Sequence, residues 1–175
     1  MIKNKFSLTD LWKKIWIPLS ASLGTYLFLL LAQPPRDSPE CAYFFLLPAI
    51  SWFCFKPKLK TVAFTFFLAG ILYHLSLVGW MRHISFGGLL SACILLSLYH
   101  LPWFLLARIL VPRAATSSFK YRFLVLLILP SAWVSMEWIR CQFTLGFPWC
   151  PLPVTQWERP ILLQTSQWLG SWGVS

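Results

Sequence analysis

Charged residues are scarce in this sequence. Asp, Glu, Lys and Arg make up 11% of the 175 residues, and only 5 of these are acidic. Water-soluble domains carry about 25% charged residues, so the composition excludes an ordinary soluble fold. Hydrophobic residues make up 58% of the chain and aromatic residues 18%. We therefore predict an integral membrane protein, whose main solvent is lipid.

The sequence also lacks metal-binding motifs. None of its five cysteines forms a CxxC pair or alternates with His at a spacing typical of metal ligands, so neither a metal site nor another cofactor is expected. Most are interpreted as small apolar fillers. A disulfide between the two that should share the outer side, Cys141 and Cys150, is not expected. The cysteines are Cys41, Cys54, Cys93, Cys141 and Cys150.

Nucleic-acid binding is not expected either, despite the net charge of +10. The basic residues occur in short clusters between apolar runs and do not form one basic face on a polar domain. Membrane topology accounts for them better. Counted segment by segment along the chain, with Arg108 near the end of the fourth apolar run assigned to the connection that follows it, Lys and Arg number 4, 1, 3, 1, 4 and 2. By the positive-inside rule, this alternation predicts an N-terminus in the cytoplasm.

Apolar runs define the predicted spans, since about 20 mostly apolar residues cross a bilayer. We predict an all-α multi-span helical bundle of about five spans plus an incomplete sixth. The second run is short and contains Pro48, so a thin, broken or re-entrant span is expected there. The predicted segments are 15–32, 41–55, 61–81, 86–111 and 123–139 as spans, 143–160 as an outer interfacial loop, and 161–175 as the start of a truncated span.

Two histidines lie within predicted spans. Counted from the turn near His83, His74 is about 14 Å deep and His100 about 25 Å deep at 1.5 Å per residue. At such different depths the two rings are not expected to touch. Each is interpreted as a neutral His bonded to a neighbouring helix, in preference to a proton relay.

Glu137 and Arg140 lie at the end of the last complete apolar run. Three residues apart on a helix, they share one face near the outer interface. Two interpretations stay open: a local ion pair that anchors the helix end, or an Arg140 that holds a lipid phosphate while Glu137 orients it. The following "GFPW" stretch, 146–149, breaks the helix and brings aromatics to headgroup level.

Several motifs resemble the membrane part of bacterial apolipoprotein N-acyltransferases. They are "EWIR" at 137–140, "GFPW" at 146–149, Gln156, and "LLQTSQWLGSWGVS" at 162–175. "GWMRHISFGG" at 79–88 and "AQPP" after the first run give weaker support. The resemblance is specific over residues 133–175. It implies that residues 1–175 form the N-terminal transmembrane domain of such a protein, multi-pass in the bacterial inner membrane.

The family transfers an acyl chain from a phospholipid to the free amine of an S-diacylglyceryl cysteine in a lipoprotein. Its nitrilase-like domain uses a Glu, Lys and Cys triad in a two-step covalent scheme. No such domain is encoded here, so the resemblance assigns no catalytic residue to this chain, and the fragment is expected to be inactive alone. An alternative is a non-catalytic membrane remnant or lipid-binding assembly partner.

The resemblance assigns a role to the residues of the outer motif, which are expected to shape the entry of lipid or substrate. Its residues are Glu137, Arg140, Gly146, Phe147, Pro148 and Trp149. The implied partners are the membrane, a phospholipid acyl donor, a lipoprotein acceptor and, as a hypothesis, a separately encoded catalytic half.

Overall fold

The protein is all-helical in a computed structural model that describes residues 8–142 and 148–175, with side chains described from residue 14 onward. Eight α-helices follow one another along the described chain, and three short 3-10 helices lie at Gly79–His83, Leu152–Gln156 and Ser171–Gly173. The α-helices are α1 (Leu8–Ala32), α2 (Cys41–Phe44), α3 (Leu47–Phe53), α4 (Leu59–Val78), α5 (Phe86–Thr116), α6 (Phe119–Gln142), α7 (Pro160–Gln164) and α8 (Ser166–Leu169).

Four of the described helical segments are long and apolar enough to cross a membrane. They are Lys14–Ala32, Leu59–His83, Phe86–Thr116 and Phe119–Gln142. Inside a bilayer the backbone must satisfy its own hydrogen bonds, which a helix does within each segment. The predicted class of fold, a helical membrane bundle, is therefore confirmed.

Two of the predicted segments contain only short helices. Residues 41–55 hold α2 and α3, and Pro48 lies in the first turn of α3, where its missing N–H costs nothing. Residues 161–175 hold most of α7, then α8 and the last 3-10 helix. The helices α2 and α3 pack against α1, α3 also packs against α5, and neither segment forms a continuous span of its own.

Aromatic side chains form the centre of the bundle. Phe66 of α4 and Phe104 of α5 stack with their ring centroids 3.9 Å apart, and Tyr26 of α1 packs against the edge of Phe104 at 5.8 Å. Gly70 lets these helices approach closely, because a Cβ there would lie 3.0 Å from the Tyr26 hydroxyl and 3.1 Å from Ser97 Oγ. Small residues allow the same close approach in membrane helix pairs generally.

The two buried histidines stack on each other, so the prediction that they do not touch is wrong. The ring centroids of His74 and His100 are 5.1 Å apart. Side chains on a helix lean toward its N-terminus, and α4 and α5 run in opposite directions. His74 therefore leans away from the turn that joins these helices while His100 leans toward it, which removes much of the difference in depth.

A neighbouring helix does bond His74. Its Nδ1 lies 2.7 Å from the Gly70 carbonyl and 3.2 Å from Ser97 Oγ of α5. Because a carbonyl can only accept, Nδ1 carries the proton, and Nε2 is left as an acceptor with no hydrogen-bond partner. The His74 ring is thus held between α4 and α5.

Candidate functional site

The predicted outer residues that the structure describes lie at one end of the bundle, which we call the motif end. Ala32 of α1, Val78 of α4, Phe86 of α5 and Gln142 of α6 mark this end. The helices α1 and α4 both end here, because α2 and α3 lead the chain back between them, and α5 begins here after a short connection. The segment 148–156 crosses it. Five buried polar side chains lie near the same end: Gln33, Glu137, Arg140, Thr155 and Gln156.

Glu137 is buried, with 3% of its surface exposed. Its Oε1 accepts a hydrogen bond from the backbone N–H of Leu152 at 2.9 Å, and its Oε2 accepts one from the Ser175 hydroxyl at 2.8 Å. Both carboxylate oxygens therefore bind residues that follow α6 in the chain. Glu137 holds the segment 148–156 and the last 3-10 region against the end of α6.

Arg140 is also buried, at 5% exposure, yet it does not pair with Glu137. In the part of the chain that the structure describes, the ion pair is between Arg159 and Glu40. Arg140 Nε and Nη2 are buried and have no hydrogen-bond partner. These two nitrogens lie on the same edge of the guanidinium, the edge that binds a carboxylate or phosphate with two parallel bonds. The interpretation of the motif as a local ion pair is therefore wrong.

The loop part of the motif is partly described. Gly146 and Phe147 lie outside the described residues. Pro148 and Trp149 are exposed, and the Trp149 ring lies 5.5 Å from that of Trp80, with 44% of Trp149 accessible. Together they flank an open cavity of about 530 Å³. Its other walls come from Pro34, Pro35, Leu77, Cys150 and Val154.

Sequence reasoning missed the residues that hold the segment 148–156 against the start of the chain. The Gln33 side-chain amide donates to the Cys150 carbonyl at 3.1 Å, although 117 residues separate them. The Trp157 indole donates to Asp37 at 2.9 Å, and Arg159 pairs with Glu40. The one feature of the sequence that could have predicted these contacts is the polar stretch that begins at Gln33, directly after an apolar run.

The buried side chain of Gln156 also connects the segment 148–156 to residues 33–43. Its amide nitrogen donates to the Pro39 carbonyl at 3.2 Å and to Thr155 Oγ1 at 3.1 Å, and its oxygen accepts from the Tyr43 hydroxyl at 3.2 Å. The side chain is buried, so these bonds replace its hydration. The segment 148–156 is therefore held to α6 on one side and to residues 33–43 on the other.

Cys150 lies between these contacts with a free thiol. Burial raises the pKa of the Cys150 thiol above its ordinary value, and the nearby Arg140 only partly offsets this. A thiol with a raised pKa is a poor nucleophile at neutral pH. Within residues 8–142 and 148–175, no group of three His, Cys, Asp or Glu side chains could hold a metal ion.

Fold and site together define a helical membrane protein with a buried arginine, two of whose nitrogens lack a partner, and an aromatic cavity at one end of the bundle. The chain belongs to the apolipoprotein N-acyltransferase N-terminal domain family, which matches residues 27–175. The predicted resemblance is therefore confirmed. Among curated proteins and among solved structures, no match is found.

Proposed function

We propose that this chain is the membrane part of an enzyme that moves an acyl chain from a phospholipid to the N-terminal amine of an S-diacylglyceryl-cysteine lipoprotein. Membership of the family supports this reaction class. The chain contributes lipid binding, and the covalent chemistry belongs to a catalytic half with a Glu, Lys and Cys triad. We assign no catalytic residue here, and we expect the chain alone not to transfer acyl groups.

The unpaired edge of Arg140 carries this proposal. A buried guanidinium is costly when its donors are not hydrogen-bonded, and two of the Arg140 nitrogens have no hydrogen-bond partner. The nearest carboxylate along the helix, Glu137, already accepts from Leu152 and Ser175. A phosphate diester offers the two oxygens that the Nε and Nη2 edge can bind in parallel. The acyl donor is therefore recognised through its phosphate at Arg140.

The cavity lined by Trp80 and Trp149 supports lipid access at the same end. Its volume of about 530 Å³ lies in the usual range for small-molecule sites. Trp side chains are enriched where the acyl region meets the headgroups, because the ring is apolar and its N–H is polar. Lipid would enter this cavity beside the two rings and pass Pro148 and Cys150 on its way to Arg140, which lies near Cys150. The other two motif residues, Gly146 and Phe147, are proposed to act in lipid entry by the family resemblance alone.

In the cell, the proposal places the chain in the bacterial inner membrane with its N-terminus in the cytoplasm. The motif end then faces outward, where lipoproteins are processed in this reaction. The distribution of Lys and Arg along the sequence supports this orientation.

The test is acyl transfer by the chain reconstituted with its catalytic half in phosphatidylglycerol vesicles. Arg140→Gln should lower kcat/KM for the donor roughly tenfold to a hundredfold, the equivalent of losing charge-assisted hydrogen bonds. Arg140→Lys should recover only part of this, because an ammonium lacks the planar fork. Arg36→Gln, an exposed arginine at the same end, is the matched control.

Trp149→Ala should raise KM for the donor, whereas Trp168→Ala should not, since Trp168 is 87% exposed and lies outside the cavity. Normal donor kinetics in both folded Arg140 variants would overturn the phosphate contact. Absence of any acyl transfer by the complete wild-type assembly would favour the alternative, a non-catalytic lipid-binding partner.

A further inference from the structure

An apolar groove runs along the bundle on the other side of the segment 148–156. It has a volume of about 410 Å³ and lies between the short helices α2 and α3 and the long helices α5 and α6. It extends from Leu152 at the motif end to Val111 and Ala114, near the far end of α5. The walls between these points include Phe45, Ile50, Trp103, Val125, Leu129 and Trp133. A groove of this length and character suits an acyl chain lying parallel to the helices.

The groove opens at the motif end into a second cavity, which we call the mouth. The mouth has a volume of about 260 Å³ and shares Ala42, Tyr43, Leu152 and Ser175 with the groove. Its further polar walls are Thr155, Gln156 and Thr165. Neither cavity is lined by Lys or Arg, so the mouth offers a phosphate no counter-charge.

Each hydroxyl group that lines the mouth already donates its proton in a hydrogen bond within the protein. Tyr43 donates to Gln156 Oε1, Thr155 to the Leu152 carbonyl, Thr165 to the Leu162 carbonyl, and Ser175 to Glu137 Oε2. A hydroxyl that donates in one direction still has lone pairs to accept in another. The mouth therefore presents hydrogen-bond acceptors, with the Glu137 carboxylate directly behind Ser175. Such a surface binds a donor, best a cationic ammonium, and does not suit a phosphate.

We propose that the groove and its mouth bind the diacylglyceryl-cysteine end of the lipoprotein acceptor, with one acyl chain in the groove and the free α-ammonium at the mouth. The inference rests on the proposed function for the identity of this substrate. The proposal therefore has two lipid sites, which differ in the charge of the headgroup that each one binds. The acyl donor is held by phosphate at Arg140, and the acceptor is held by its ammonium beside Tyr43, Thr165 and Ser175.

Photo-crosslinking of the full chain in nanodiscs tests this without requiring acyl transfer. The probes are a diacylglyceryl-cysteinyl peptide with a diazirine in one acyl tail, its N-acetylated form, and phosphatidylglycerol with the same tail. We expect the free-amine probe to label groove residues such as Val125 and Ile50. At equal mole fraction, this labelling should exceed that of the N-acetyl probe about tenfold, as loss of a hydrogen bond to a charged group implies.

Leu129→Trp should fill the groove and abolish the specific labelling. Leu127→Trp, on the same helix but 53% exposed and outside the groove, should leave it unchanged. Helical circular dichroism spectra confirm that both variants are folded. Equal labelling by all three probes, preferential labelling by phosphatidylglycerol, or no labelling in the groove would each overturn the acceptor site. Failure of acyl transfer with the free-amine preference intact would overturn only the proposed reaction.

Discussion

Glu137 accepts a hydrogen bond from the backbone of Leu152, 15 residues further along the chain, and does not pair with Arg140, three residues away on its own helix. The two charged residues of one motif therefore have different roles. Glu137 ties the end of α6 to the segment 148–156. Arg140 is left with an unpaired edge inside the bundle.

Glu137→Ala should loosen the segment 148–156. The variant leaves the Leu152 N–H and the Ser175 hydroxyl without their acceptor, and a hydrogen bond to a charged group contributes about 1.5–3 kcal/mol. We expect faster proteolysis between residues 148 and 159 in detergent. Glu158→Ala is the control, because that side chain is exposed. Equal proteolysis of wild type and Glu137→Ala would show that the contact does not hold the segment.

Gly70→Leu should destabilise the contact of α1, α4 and α5. Any side chain there meets the Tyr26 hydroxyl and Ser97, and overpacking a well-packed core costs typically about 1–3 kcal/mol. The thermal unfolding temperature of the purified protein should fall. Gly79→Leu has open space around its Cβ and should unfold close to the wild-type temperature. Similar unfolding temperatures for both variants would contradict the close helix approach.

Cys150 should be alkylated slowly at neutral pH. Burial raises the pKa of its thiol, so less of the reactive thiolate is present, and the rate should continue to rise with pH above the range of an ordinary cysteine. Iodoacetamide labelling followed by mass spectrometry measures this in a variant that keeps only Cys150. A chain that keeps only Cys54, which is exposed, is the reference. A Cys150 rate at or above the Cys54 rate at pH 7 would contradict the burial.

Impermeant maleimide should distinguish the two ends of the bundle in intact cells. In a background without native cysteines, Glu158→Cys should be labelled from outside. Ser118→Cys, in the connection between α5 and α6, should be labelled only after lysis. Both substitutions leave every Lys and Arg in place, so the charge pattern that predicts the orientation is unchanged. The reverse labelling pattern would place the N-terminus outside the cell.

Composition and motif spacing were enough to predict a helical membrane bundle and its family. Long apolar segments must be helical in lipid, whatever they pack against, because no water is present to satisfy the backbone. For the same reason, the scarcity of charge excluded a soluble domain. The motifs at 137–140 and 146–149 identified the family because their residues are close in the sequence.

Tertiary structure alone decided which side chains meet. Arg140 stands three residues from Glu137, yet the Glu137 carboxylate accepts from Leu152 and Ser175, because packing brings those donors to it. His74 and His100 stack because side chains on antiparallel helices lean toward each other, which residue counting along each helix does not include. Contacts such as Gln33 to Cys150 join residues 117 positions apart. A buried polar group bonds the partner that packing places nearest, and sequence distance carries no information about that partner.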